Sequence, residues 1–174
     1  MKTFTIIAGA DGVGKSSLLG ALSRHDLFLG HIFGCEHIKE HLDVNTCLEK
    51  DLNCTIETTL DDVKKLTEML CCAKQKGYVI RLYFISVNSA MECVSRVADR
   101  VSKGGRKIPK KYIIEHYENS ISNLLKVLPF CETARFYDNE NGFKYVGMYH
   151  NGEVLRIDDD FPDWLFEIFQ YYNK

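Results

Sequence analysis

Apolar and polar positions along the chain alternate between two periods. Residues 3–8 (TFTIIA) form an apolar, β-rich run, and residues 16–22 (SSLLGAL) space their apolar positions helically, so a strand leads into a helix that runs to about Arg24. Residues 27–34 read as a turn and a short second strand, and residues 35–40 open a helix. Residues 52–57 predict a third strand. Val63, Leu66, Met69, Leu70 and Ala73 then follow helical spacing within a helix over 60–76, which Gly77 ends. Thr58 and Thr59 stand three residues before Asp61 and Asp62, the spacing of a capping pattern, and are expected to start that helix. Residues 78–85 (YVIRLYFI) are nearly continuous in apolar side chains, as in a central parallel strand covered on both faces.

Ser89 is placed to cap the next helix, on which Arg96 and Arg100 lie four apart and share a face. Pro109 starts a further helix through about Lys126, with Tyr112, Ile113, His116, Tyr117, Ile121, Leu124 and Leu125 on its apolar side. Residues 134–138 predict a fifth strand. Asn141-Gly142 and Asn151-Gly152 are hairpin-type dipeptides that bracket residues 143–149, with 154–157 beyond, so a small antiparallel meander follows. Residues 161–172, with Trp164, Leu165, Ile168 and Phe169, close the chain as an amphipathic helix whose aromatics belong to the core. Strands alternating with helices indicate a wound α/β fold: a mostly parallel five-stranded sheet with helices on both faces, plus the meander and last helix.

The junction of the first strand and helix carries the strongest chemical signal. Gly9, Ala10, Asp11, Gly12, Val13, Gly14, Lys15 and Ser16 spell G-x-x-x-x-G-K-[ST] in full, and Ser17 follows. Strand, glycine loop and helix in that order are the context this phosphate-binding loop requires. Glycines let backbone N–H groups close around phosphate oxygens, and the helix N-terminus adds partial positive charge there. Lys15 is expected to reach the β- and γ-phosphates of a nucleotide, and the Ser16 hydroxyl to ligate Mg²⁺. The fold expected is therefore a three-layer P-loop NTPase of the small-kinase kind.

Composition narrows the setting. At 174 residues, 45% hydrophobic and 26% charged, the chain is expected to be one soluble globular domain over residues 1–174. The net charge of −2 argues against nucleic-acid binding by the whole surface. No apolar run approaches a membrane span, and the first strand begins too early to leave room for a signal peptide. Seven scattered cysteines with no C-x-x-C pair argue for reduced thiols in a cytoplasmic protein, against a zinc site or disulfide framework.

Other candidate residues carry two readings each. Glu36 follows a strand end, where α/β proteins place ligand groups, yet an acidic residue also suits a helix N-terminus. Glu57 ends a buried strand, where a carboxylate is costly without a partner, and it is a candidate to hold substrate or water beside the phosphates. Residues 101–111 are basic and glycine-hinged. They suit a lid that closes arginines over a triphosphate, against the alternatives of a solvated loop or a local RNA patch. His37, Glu40 and His41 match H-x-x-E-H, a zinc peptidase arrangement, but two surface histidines with a solvated glutamate account for so short a pattern.

The phosphate loop, residues 57–60 (ETTL), residues 100–109 (RVSKGGRKIP) and Tyr137-Asp138-Asn139 occur in an order that resembles the zeta-toxin-like family of P-loop kinases, especially its small stand-alone members. The resemblance covers about residues 3–149. It implies ATP and Mg²⁺ as cofactors and transfer of a phosphoryl group to a hydroxyl of UDP-N-acetylglucosamine. An antitoxin is implied as a possible protein partner. It implies that Lys15 and Ser16 are the loop lysine and metal-binding hydroxyl, and that Glu57 and Thr59 contact the sugar nucleotide. Arg100 would face phosphate, Arg106 would be the lid arginine, and Glu36 falls where the family has an aspartate that deprotonates the acceptor. Glutamate there is a departure, one methylene longer. A nucleoside or metabolite acceptor, or a nucleotide-binding module without phosphotransfer, are the other readings the residues allow.

Overall fold

The computed structural model describes residues 1–25, 29–34, 43–157 and 161–173. Glu36, the helix expected from residue 35, and His37, Glu40 and His41 lie outside the described residues. In chain order the elements are β1 (Lys2–Ala8), α1 (Lys15–Leu22), β2 (His31–Phe33), α2 (Val44–Glu49), β3 (Cys54–Thr58), α3 (Val63–Gln75) and β4 (Tyr78–Ser86). They continue with α4 (Ala90–Ser102), α5 (Lys110–Val127), β5 (Thr133–Asp138), β6 (Lys144–His150), β7 (Glu153–Arg156) and α6 (Asp163–Tyr172). Helix α2, capped by the Asp43 carboxylate on Thr46 N, is absent from the pattern-based expectation.

One seven-stranded sheet has the order β2-β3-β1-β4-β5-β6-β7. The five expected strands pair in parallel. The expected five-stranded sheet is corrected in one respect. The meander does not stand apart, because β6 pairs antiparallel with β5 and β7 with β6, extending the sheet. Residues 133–138 offer a free strand edge, and an antiparallel hairpin satisfies its backbone groups at the least cost in connecting chain.

Alternate residues of the central strands feed two cores. Phe4, Ile6, Ile80, Leu82, Phe84, Ala134 and Phe136 pack with α3 and α6 on one face. Ile7, Tyr83 and Ile85 pack with α1 and α4 on the other. Burying a phenylalanine such as Phe4, Phe84 or Phe136 completely is favourable by about 2–3 kcal/mol each. Trp164, Leu165 and Ile168 of α6 are core residues, as expected. Helix α5 joins both cores: Ile113 near its start belongs to the second, and Leu124 and Val127 near its end to the first. Its first turns therefore reach the sheet end where β1 gives way to the phosphate loop. Among the described residues no helix is long and apolar enough to cross a membrane.

Two cap assignments test the local reading. Ser89 caps α4 by accepting from Glu92 N, as its sequence position indicates. Thr58 and Thr59 do not cap α3; the Asp62 carboxylate does, accepting from Lys65 N at 3.1 Å. The threonines instead shape the turn before it. Thr58 Oγ1 accepts from Leu60 N at 3.0 Å, and Thr59 Oγ1 donates to Asp61 at 3.0 Å. Leu60 is fully buried in a left-handed conformation (φ 62°), and the helix starts three residues later than the pattern predicts. Asp62→Ala is accordingly expected to cost about 1 kcal/mol of stability with an unchanged denaturant m-value, read by urea unfolding.

Candidate active site

Helix α1, after β1, packs on one face of the sheet, and α3, after β3, packs on the other. Neighbouring strands that send their chains to opposite faces leave a crevice at their carboxyl ends. Ala8 of β1 pairs with Thr58 of β3, and Ile7 with Glu57, so the phosphate loop and the 57–59 segment emerge side by side at this crevice.

The loop wraps tightly. A Cβ on Gly9 would lie 2.2 Å from the Ile85 carbonyl oxygen, and one on Gly12 would lie 2.7 Å from that of Cys93. Both glycines also have positive φ, 146° and 82°. Only glycine fits these two positions. Gly14 precedes α1, and no side chain caps that helix, so no side-chain cap competes for the N–H groups of its first turn. Asn139 Nδ2 donates to Val13 O at 2.8 Å, tying the chain after β5 to the loop. Asp138 is engaged on both oxygens, by Trp164 Nε1 and Glu140 N.

Lys15 is buried, and its Nζ donates to the carbonyls of Gly9 (3.0 Å) and Ala10 (2.9 Å). Burial pushes its pKa below the ordinary 10.5, and Arg100 adds to the lowering; Asp11 and Glu57 pull it back up. Ser16 Oγ lies 3.0 and 3.1 Å from the two Glu57 carboxylate oxygens and donates to them. These hard oxygen donors, one on the first turn of α1 and one at the end of β3, fit a magnesium ion. Among the described residues no group of three or more His, Cys, Asp or Glu is arranged to hold a metal.

The basic segment folds back on α4. Gly105 N donates to Arg100 O at 2.9 Å, and the Arg100 guanidinium donates to Arg106 O at 3.2 Å. Both arginines stay exposed and face the same cleft. That cleft, of about 480 Å³, is lined by Lys15, Ser16, Glu57, Thr59, Arg100 and Arg106 together. The site residues predicted from distant stretches are thus assembled, Glu36 lying outside the described residues. Ser17 is exposed on α1 beside Ser16, whereas Gly9, Ala10, Gly12, Val13 and Gly14 do not line the cleft, and Gly9, Ala10 and Val13 are buried. Arg96 shares a helix face with Arg100 but does not line the cleft. It pairs with Glu92 at 2.7 Å and donates to the carbonyls of Asn139 and Glu140.

The structure also brings in residues that pattern reading assigned elsewhere. Tyr112 and His116 do not belong to the apolar side of α5. Tyr112 is 52% exposed, His116 is half-buried, and both line the cleft. His116 Nδ1 lies 2.6 Å from Asp11 Oδ2. Their helical spacing could not reveal this, because the partner sits 105 residues away.

No curated protein matches this chain. Among solved structures, it is similar to a chain of the AvrRxo1-ORF1:-ORF2 complex with ATP (12% identity, TM-score 0.62), covering 100% of this chain and 64% of that one. The same complex with sulphate ions gives 11% identity and a TM-score of 0.61 over the same shares. A structure from the PezAT chromosomal toxin–antitoxin system of Streptococcus pneumoniae matches at 19% identity and TM-score 0.53, over 83% of this chain and 71% of that one. This chain thus spans 64% of the length of the AvrRxo1 complex chains it matches, and these likenesses share the fold. The family model for zeta toxin matches residues 40–143, more than half of the chain, taking in Glu57, Thr59, Arg100 and Arg106. With the phosphate loop beside that stretch in the fold, the chain belongs to the zeta toxin family.

Proposed function

We propose that this protein is an ATP- and Mg²⁺-dependent phosphotransferase that moves the γ-phosphoryl group to a hydroxyl of a small acceptor. The observation that carries the reading is the single cleft holding the loop lysine, the Ser16–Glu57 pair and two arginines. Zeta toxin membership and the AvrRxo1 complex crystallised with ATP support it. The chain's own residues divide the work. The loop amides and Lys15 hold the β- and γ-phosphates, and Lys15 must exchange its Gly9 and Ala10 carbonyl partners for phosphate oxygens. Ser16 and Glu57 would hold Mg²⁺, which when bound neutralises phosphate charge. Arg100 and Arg106 offset charge on the transferring group, and their planar forks suit its oxygens.

Glu57 and Thr59 border the acceptor side of the cleft, and Glu36 is the family position for proton abstraction. A sugar nucleotide such as UDP-N-acetylglucosamine is the acceptor class that the family relationship favours. The toxin–antitoxin origin of the PezAT structure supports an antitoxin as the protein partner. Transfer of γ-labelled phosphate from ATP with Mg²⁺ to UDP-N-acetylglucosamine, uridine and water tests the activity. Label on the sugar nucleotide supports the full reading, and label on another acceptor replaces the substrate alone. Tight ATP binding with no transfer and no ADP formation would leave a nucleotide-binding module.

Two variants sharpen the test. Arg106→Ala is expected to lower the transfer rate by about a thousandfold while ATP still binds. Lys15→Met is expected to abolish transfer yet raise the melting temperature of the unliganded protein at pH 7. The folded state pays for a desolvated ammonium wherever lysine is protonated in both states. That penalty is full below the lowered folded-state pKa and fades as pH rises from there to the unfolded value of 10.5. Wild type and Lys15→Met should therefore converge in stability toward pH 10.5, measured by thermal unfolding across pH. A variant less stable than wild type at pH 7 would contradict this account of Lys15.

A further inference from the structure

A smaller pocket continues the cleft along α5. Thr59 and Asp61 line it from the turn after β3, and Tyr112, Glu115, His116 and Asn119 line it from the helix. Thr59, Asp61, Tyr112 and His116 also line the main cleft, so the two spaces adjoin. The two sides are tied together, because Asn123 of α5 donates to Leu60 O at 2.9 Å and Leu60 is fully buried. The pocket is thus built into the fold, as ligand sites commonly are. At about 210 Å³ it is smaller than the ~300–1,000 Å³ of sites that take a whole ligand, and it fits one ring-sized part of one.

The two spaces differ in charge. Lys15, Arg100, Arg106 and Lys107 line the cleft, and no lysine or arginine lines the pocket. Its carboxylates are Asp61 and Glu115. Asp61 accepts from Thr59 on one oxygen at 3.0 Å. Among the described residues the exposed Glu115 carboxylate has no hydrogen bond or ion pair. Asn119 commits its amide nitrogen to Glu115 O at 3.0 Å, which leaves its amide oxygen as an acceptor. His116 is already held by Asp11. The pocket therefore offers hydrogen-bond acceptors and no cation. Hydroxyl groups satisfy such a lining, whereas a phosphate or carboxylate would meet like charge. Tyr112, 52% exposed, adds an aromatic surface for ring carbons.

We infer that this pocket holds an uncharged, hydroxyl-bearing ring of the acceptor and selects against acceptors that carry an anion at that end. The inference rests on the phosphotransferase reading and adds Asp61, Tyr112, Glu115 and Asn119 as specificity-determining residues. Phosphate-rich groups are drawn to the arginines and Lys15, and the uncharged ring is drawn to the carboxylates and amide beyond them. The two ends of the site sort their ligands by charge.

The test is steady-state ADP formation by the full chain with ATP and Mg²⁺ on two pairs of acceptors. They are UDP-N-acetylglucosamine against UDP-glucuronate, and uridine against uridine 5′-monophosphate; the second member of each pair carries an added anionic group. Wild type is expected to favour the member without that group by about tenfold or more in kcat/KM, in whichever pair it accepts. Glu115→Lys, at an exposed position, is expected to raise the KM for the favoured acceptor about tenfold, to keep the KM for ATP within about threefold, and to shrink the preference. Asn119→Leu is expected to raise the KM for the favoured acceptor about fivefold and to leave the preference in place. An unchanged acceptor KM in both variants, or equal use of both members of a pair by the wild type, would overturn the role of the pocket and leave the kinase reading standing. No ADP formation by the wild type with any of these acceptors would overturn both.

Discussion

Backbone crowding around the phosphate loop governs the rest of this structure. The loop passes so close to the carbonyls of Ile85 and Cys93 that no side chain fits at Gly9 or Gly12. Strand β4 and helix α4 thus hold the loop by direct backbone proximity, and Asn139 holds it from the third side. A loop packed in this way holds its backbone against β4 and α4, which favours preorganised N–H groups at the start of α1.

The clamp explains where the charges sit. Burying Lys15 among loop carbonyls is unfavourable for its ammonium, and the neighbours answer that cost unevenly. Asp11 and Glu57 favour the charge, and Arg100 opposes it. Each anionic neighbour has a second tie, Asp11 to His116 and Glu57 to Ser16. The acidic neighbours of Lys15 are therefore paired, while the guanidinium groups of Arg100 and Arg106 stay exposed at the cleft. A nucleotide triphosphate with its metal would meet the exposed guanidinium groups of Arg100 and Arg106 on one side and the loop on the other.

Helix α5 links this electrostatics to the fold. It contributes Ile113 to one core and Leu124 and Val127 to the other, so its axis is fixed from both faces of the sheet. Asn123 on the same helix donates to Leu60 O at 2.9 Å, holding the turn that follows Glu57, Thr58 and Thr59. The basic segment joins α4 to α5, the helix that carries His116 and Tyr112.

Much of this was determined by the sequence itself. The phosphate loop is a local object: its glycines, its lysine and its flanking strand and helix are contiguous, so their meaning survives without coordinates. The parallel strands, the Ser89 cap and the buried face of α6 were legible for the same reason, because hydrophobic period and cap chemistry act within a few residues. Tertiary structure decided what depends on distant partners. Sequence patterning could not join β6 and β7 to the main sheet, since the edge they cover is supplied by β5. Nor could it move the α3 cap from the threonines to Asp62, because the buried left-handed Leu60 requires a core to hold it. The histidine on α5 fits an apolar stripe by spacing, and only folding sets it against Asp11, where a 2.6 Å contact turns a core-like position into a polar one.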